Sequence, residues 1–267
     1  MVLLRNVSQR LVLSVVCLSG TTGWTDQQNA AKPRGFPYPE RLTYRVEWRT
    51  MTAGTATLDF APSSHGGWQT ALNLASTGWV SRLYRVLDSY RVVSDEKFCG
   101  SSSTLDAQEG KRHVITRLTF HNNAHKVDYE ERDLVKNAEV KKQLEIPPCT
   151  HEITGALAAL RTSGLEPGKS INLPITDGKK VASAKIEAQT KENVSVGGRT
   201  YSAVRYEVYL FDNVLYRRKG RLFVWMTDDA DRLPVQLRLQ MGFPVGGVTI
   251  QLDRQEKTQA DRQPPQV

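Results

Sequence analysis

Leu42-Thr43-Tyr44-Arg45-Val46-Glu47-Trp48 alternates apolar and polar side chains at every step. Successive side chains of a β-strand point to opposite faces, so Leu42, Tyr44, Val46 and Trp48 share a buried face while Thr43, Arg45 and Glu47 share a wet one. One wet face and one buried face is the signature of a strand in an antiparallel sheet.

The same period of two recurs on both sides of this stretch. Toward the middle of the chain it appears at Ala56/Leu58/Phe60, Trp68/Leu72/Leu74, Tyr90/Val92, Val114/Leu118/Phe120 and Val127/Tyr129. It returns at Ile171/Leu173/Ile175, Val204/Tyr206/Val208/Leu210, Leu222/Val224/Met226, Val235/Leu237/Leu239 and Val248/Ile250/Leu252. The connections include Asn122-Asn123, Asp177-Gly178, Gly197-Gly198 and Gly246-Gly247, pairs that tolerate the positive φ of hairpin turns. Parallel strands would need a crossover helix between each pair, and one helix alone is evident. The expected fold is mainly β: a large antiparallel, strongly curved or barrel-like sheet with one amphipathic helix near residues 150–163. For that helix Thr150 is the expected N-cap, Ile153, Ala156, Leu157 and Leu160 form one apolar stripe, and Gly164 is placed to end it. Glu152 near its start and Arg161 near its end suit the macrodipole.

Residues 32–256 read as a single β domain, which the helix could divide into two halves. The first 31 residues differ in character. Arg5 and Arg10 precede the apolar run Leu11-Val12-Leu13-Ser14-Val15-Val16-Cys17-Leu18. A basic start before a short apolar run reads as a secretory signal peptide, and the run falls well short of the ~20 residues that span a bilayer. Cys17 invites a lipid-anchor reading, but Val16 stands where that signal wants a small residue. The expected address is periplasmic or secreted after removal of the leader. Residues 257–267, rich in Gln, Pro and charge, read as a disordered tail.

Hydrophobic residues at 39% and charged residues at 24% exclude an intrinsically disordered chain. The net charge is +8. Residues 1–31 carry Arg5, Arg10 and Asp26, so a charge of about +7 remains once they are gone. Lys and Arg alternate with Asp and Glu along the strands instead of clustering, which describes a mixed solvated surface, and nucleic acid is not expected as a partner.

Without the leader, Cys99 and Cys149 are the remaining cysteines, and an oxidising compartment lets them pair. Closing a loop of about 50 residues would contribute about 4 kcal/mol on the loop-entropy argument. The alternative is two separate buried thiols.

Three clusters invite chemistry. Cys149-Thr150-His151-Glu152 sets a thiol near an imidazole at a helix start, but side chains two apart diverge, so a disulfide cysteine beside a solvent-facing His151 is the expectation. His113, His121 and His125 lie near one hairpin and read as its hydrated end. Asp228, Asp229 and Asp231 read as turn residues that bond their own backbone. No phosphate loop, nucleophile elbow or dinucleotide fingerprint occurs in the sequence, so no catalytic residue, metal or cofactor is expected. Gly78-Trp79-Val80-Ser81-Arg82-Leu83-Tyr84 and Phe243-Pro244-Val245 are apolar stretches outside the alternation. Trp79, Val80, Leu83, Tyr84, Phe243 and Val245 are candidate ligand-binding residues at the mouth of a curved sheet, or else caps on its core.

Phe36-Pro37-Tyr38-Pro39-Glu40-Arg41-Leu42-Thr43-Tyr44, Leu83-Tyr84-Arg85-Val86, Asp88-Ser89-Tyr90 and Glu109-Gly110-Lys111-Arg112-His113 resemble the bacterial DUF3108 family. Ile146-Pro147-Pro148-Cys149-Thr150-His151, Arg218-Lys219-Gly220-Arg221-Leu222, Trp225, Thr227-Asp228-Asp229 and Leu233-Pro234-Val235 extend the resemblance over about residues 36 to 255. It implies an envelope protein of unassigned function and supplies no site residues. The expected function is a non-catalytic exported envelope protein that binds an apolar or lipid-like ligand, with peripheral membrane contact as a further possibility. The alternative is an envelope interaction module whose partner is another protein, and a hydrolase or metal-dependent enzyme is the third reading.

Overall fold

The computed structural model describes residues 35–242 and 246–257; the leader, the tail from residue 258, Phe243 and Val245 lie outside them. The first half of the sheet comprises β1 (Glu40–Trp48), β2 (Met51–Pro62), β3 (Trp68–Ser76), β4 (Val86–Ser94), β5 (Gly100–Glu109), β6 (Arg112–His121), β7 (Lys126–Asp133) and β8 (Ala138–Glu145). The second comprises β9 (Ser170–Thr176), β10 (Val181–Val196), β11 (Arg199–Val208), β12 (Gly220–Thr227), β13 (Pro234–Met241) and β14 (Gly247–Lys257). Each half is an antiparallel meander, and the pairing of β1 with β14 joins them into one sheet. The strand order is β8-β7-β6-β5-β4-β3-β2-β1-β14-β13-β12-β11-β10-β9. β8 and β9 are its two edges, so the ladder is not closed. Lys257, expected in the tail, is the last residue of β14 and pairs with Asp231 at 2.6 Å.

The alternation quoted at the outset is β1. Leu42 and Tyr44 are buried, and Arg41 on the other face meets Asp59 of β2. Three strands carry no such signal. β5 (GSSSTLDAQE) fills buried positions with Gly100, Ser103 and Ala107, and β8 (AEVKKQLE) is an edge with little buried. β10 buries Ala184, Ile186 and Ala188, where alanine carries too little apolar area to mark a face.

Among the described residues the expected single α-helix needs correction to two. The chain from β3 to β4 winds into α1 (Gly78–Leu83), steadied by the Ser81 hydroxyl donating to the Gly78 carbonyl at 2.7 Å. Six residues are too few for an apolar periodicity to show in sequence.

The central helix, α2 (Ile153–Thr162), starts later than expected, and Glu152 is its N-cap instead of Thr150. The Thr150 hydroxyl donates back to the Pro147 carbonyl at 2.7 Å. His151 forms a parallel bridge with Ile175 of β9, which holds the chain extended until Glu152. The Glu152 carboxyl then accepts the Gly155 N–H at 2.8 Å. Gly164 follows the helix at φ +65°, the left-handed stop expected of it.

Cys99, in the turn between β4 and β5, is disulfide-bonded to Cys149 just before α2. The Gly100 N–H donates to the Thr150 carbonyl at 2.9 Å beside this bond. The start of α2 is thereby tied to the first half of the sheet, while the His151–Ile175 bridge ties it to the second. The two halves also meet at the β9–β10 turn: Gly178 packs on Leu118 and Tyr129, and Lys179 pairs with Glu131 at 2.7 Å.

Candidate functional site

α2 presents Ile153, Ala156, Leu157 and Leu160 to the inward-facing residues of the sheet, and the two surfaces do not fill the space between them. The result is a cavity of about 240 Å³. Tyr44, Leu58 and Leu74 line it from the first half of the sheet, and Ile186, Val224 and Leu237 from the second. Among its described lining residues only Tyr44 and Thr154 carry a polar group.

Both polar groups are already occupied. The Tyr44 hydroxyl donates to the Pro234 carbonyl at 2.9 Å, and burial raises its pKa well above the usual phenol value. Thr154 donates to Glu152 Oε2 at 3.0 Å, so the 2.8 Å contact between Thr70 and Thr154 is donated by Thr70. Glu152 is buried, with Oε1 unpartnered, and desolvation pushes its pKa up to about 7 despite the Gly155 N–H and the Thr154 hydroxyl, which favour the charged form. The cavity therefore offers an incoming molecule dispersion and the hydrophobic effect, with no free donor or acceptor to match.

Beneath α2 lies a second buried feature. Arg161, fully enclosed, pairs with Glu40 of β1 and donates to the Asp231 carbonyl at 3.1 Å. Its guanidinium lies 3.6 Å from the centre of the Phe36 ring. Phe36 in turn packs against Phe60, Trp68 and Phe98 in an aromatic cluster. Arg161 is thus a structural cation that ties the chain entering β1 to the helix, beyond the dipole partner read from sequence.

The other sequence candidates lie elsewhere. Trp79, Val80 and Leu83 sit on α1 and Tyr84 caps it; none of the four lines the cavity. His151 is buried instead of solvent-facing, with Nδ1 2.7 Å from the Phe98 carbonyl, and burial lowers its pKa. His121 pairs with Asp128 at 2.8 Å, and His113 with Asp106 at 2.9 Å. Asp229 accepts from the Thr227 hydroxyl and from the backbone N–H groups of Asp231 and Arg232, which is turn chemistry. The residues that do enclose the cavity were visible as alternation and as the α2 stripe, but a side chain facing a void and one facing a packed core alternate identically.

Residues 43–253 match the family described as a protein of unknown function (DUF3108). The fold is similar to that of a beta-barrel-like protein of the DUF1849 domain of unknown function from Brucella abortus. That likeness has 10% identity and a TM-score of 0.58, covering 84% of this chain and 99% of the other. A Bacteroides fragilis protein with a YmcC-like fold is similar at 8% identity and a TM-score of 0.32, covering 84% of this chain and 98% of that one. No curated protein matches the chain.

Proposed function

The chain belongs to the DUF3108 family, and we propose that it is an exported, non-catalytic envelope protein whose sheet curves strongly around α2 and holds an apolar or lipid-like molecule in the cavity. The observation that carries this reading is the cavity of about 240 Å³ with no unsatisfied polar group on its wall. Protein interiors pack as densely as organic crystals, and an empty cavity costs about 24 cal/mol per Å³. A void of this size would cost about 6 kcal/mol if left empty, comparable with the whole stability of many domains. Selection for stability alone would fill it.

Its size bounds the occupant. An apolar cavity of about 150 Å³ takes up benzene, and drug-sized sites begin near 300 Å³. A short apolar molecule or part of an acyl chain fits between those limits. The curvature is supported by the lining itself, which draws on β1 to β3 and on β9 to β14, strands far apart in the order of the sheet. Export is supported by the Cys99–Cys149 disulfide, since such bonds persist in oxidising compartments.

Native mass spectrometry of the full chain after exposure to envelope lipid extract tests the proposal. One bound apolar species per chain is expected; a chain that emerges with no bound species refutes it.

A further inference from the structure

The exposed large hydrophobic side chains are not spread over the molecule. Of the nine among the described residues, Met51 (37% exposed), Trp79 (50%), Leu83 (67%), Tyr84 (54%), Leu134 (40%) and Val135 (63%) lie in or beside the β1–β2, β3–β4 and β7–β8 connections, Leu87 and Val140 lie near the start of β4 and β8, and Tyr209 follows β11. Antiparallel topology puts these connections at one end of the sheet, together with the β5–β6 turn. The turns at the other end read Ser63-Ser64-His65-Gly66-Gly67, Asp95-Glu96-Lys97 and Asn122-Asn123-Ala124-His125, and hold none of the exposed large hydrophobics. α1 has no fully buried residue, and its Trp79 and Leu83 are left exposed.

Basic side chains lie beside α1. Arg82 and Arg85 flank Leu83 and Tyr84, and Lys111 sits in the turn whose Gly110 lies against the Tyr84 ring. The Gly110 N–H donates to the Arg85 carbonyl at 2.7 Å, which fixes this turn beside α1. Arg82, Arg85 and Lys111 are exposed, and among the described residues no ion pair engages them.

We propose that this end, centred on α1, docks on an anionic lipid bilayer. Trp and Tyr prefer the boundary between headgroups and acyl chains, because each has an apolar body and a polar tip. Leu83 and Trp79 would enter the acyl boundary while Arg82, Arg85 and Lys111 stay among the phosphates. Each cation within the surface potential strengthens binding by about fivefold, and exposed apolar clusters of this kind mark interaction sites. The surface is separate from the cavity, none of whose lining residues it uses.

The full chain as recovered from cells, sedimented with vesicles of phosphatidylglycerol or of phosphatidylcholine, provides the test. Binding to the anionic vesicles is expected, with a loss of at least tenfold in Trp79→Ser/Leu83→Ser and in Arg82→Glu/Arg85→Glu, and weakening at high salt. These side chains are exposed, so unfolding temperature and uptake of an apolar ligand by the cavity stay unchanged, which separates failure here from failure of the cavity reading. No binding to anionic vesicles, equal binding by both variants, or a dimer in solution that the same substitutions dissociate would each overturn the proposal.

Discussion

Replacing Ala156 by leucine gives opposite signs according to whether the space under α2 is real. Ala156 is buried, lies on the inner stripe of the helix and faces the cavity. Leucine adds three carbons, each worth about 0.8 kcal/mol when moved from water into an apolar site. The helix loses a few tenths of a kcal/mol, since leucine ranks just below alanine in propensity. A gain of about 2 kcal/mol is therefore expected, which raises the unfolding temperature of a domain this size by about 4–8 °C. The assay is thermal unfolding by circular dichroism on protein refolded from denaturant, so that any molecule carried from the cell is gone. If the region is instead fully packed, the added carbons strain it and the variant loses about 1–3 kcal/mol. A destabilised Ala156→Leu would refute the cavity.

Three further outcomes follow from the same geometry. Replacing Cys99 and Cys149 by serine removes the link across 50 residues and should lower stability by about 4 kcal/mol in chemical denaturation; no loss would mean that the bond is not formed. Glu40→Leu strands the buried Arg161 cation and should cost about 3–5 kcal/mol, while Glu40→Leu with Arg161→Met recovers most of it; an equally unstable double variant would show that the pair is not coupled. Glu152 has a folded pKa of about 7, raised above the unfolded carboxyl value of 4.5, so between these values the folded state holds the extra proton and stability falls as pH rises. Glu152→Gln should remove a component on the order of 3 kcal/mol from the decline of unfolding free energy between pH 4.5 and 7. The comparison must be with the parent chain, because Asp88, raised to about 6 by burial and by Glu109, slopes the same way. Parallel pH profiles would show that Glu152 ionises freely in the folded protein.

The architecture was legible wherever one face of a strand is apolar. β1, β12 and β14 could be read directly, and so could the α2 stripe and the disulfide. β5 was hidden because serines and a glycine occupy its face, and β8 because an edge strand has little to bury. Thr150 failed as the cap because the bridge of His151 to Ile175 holds that residue in extended conformation, a tertiary contact no local pattern announces. The cavity escaped for a different reason. Its wall is made of ordinary core residues, and the void arises from how far α2 stands from the sheet. Trp79, Leu83 and Tyr84 drew notice as apolar residues outside the alternation, but only topology shows that they share one end with Met51, Leu134 and Val135.

The most direct measurement is a calorimetric titration of the full chain, refolded free of ligand, with straight-chain alcohols from hexanol to tetradecanol. Saturable binding at one site is expected, tightening about fourfold per added methylene until the cavity is full and then levelling off, with the plateau reached at a shorter chain in Ala156→Leu. No saturable binding, or an affinity that climbs through tetradecanol without a break and ignores the substitution, would contradict a ligand site beneath α2.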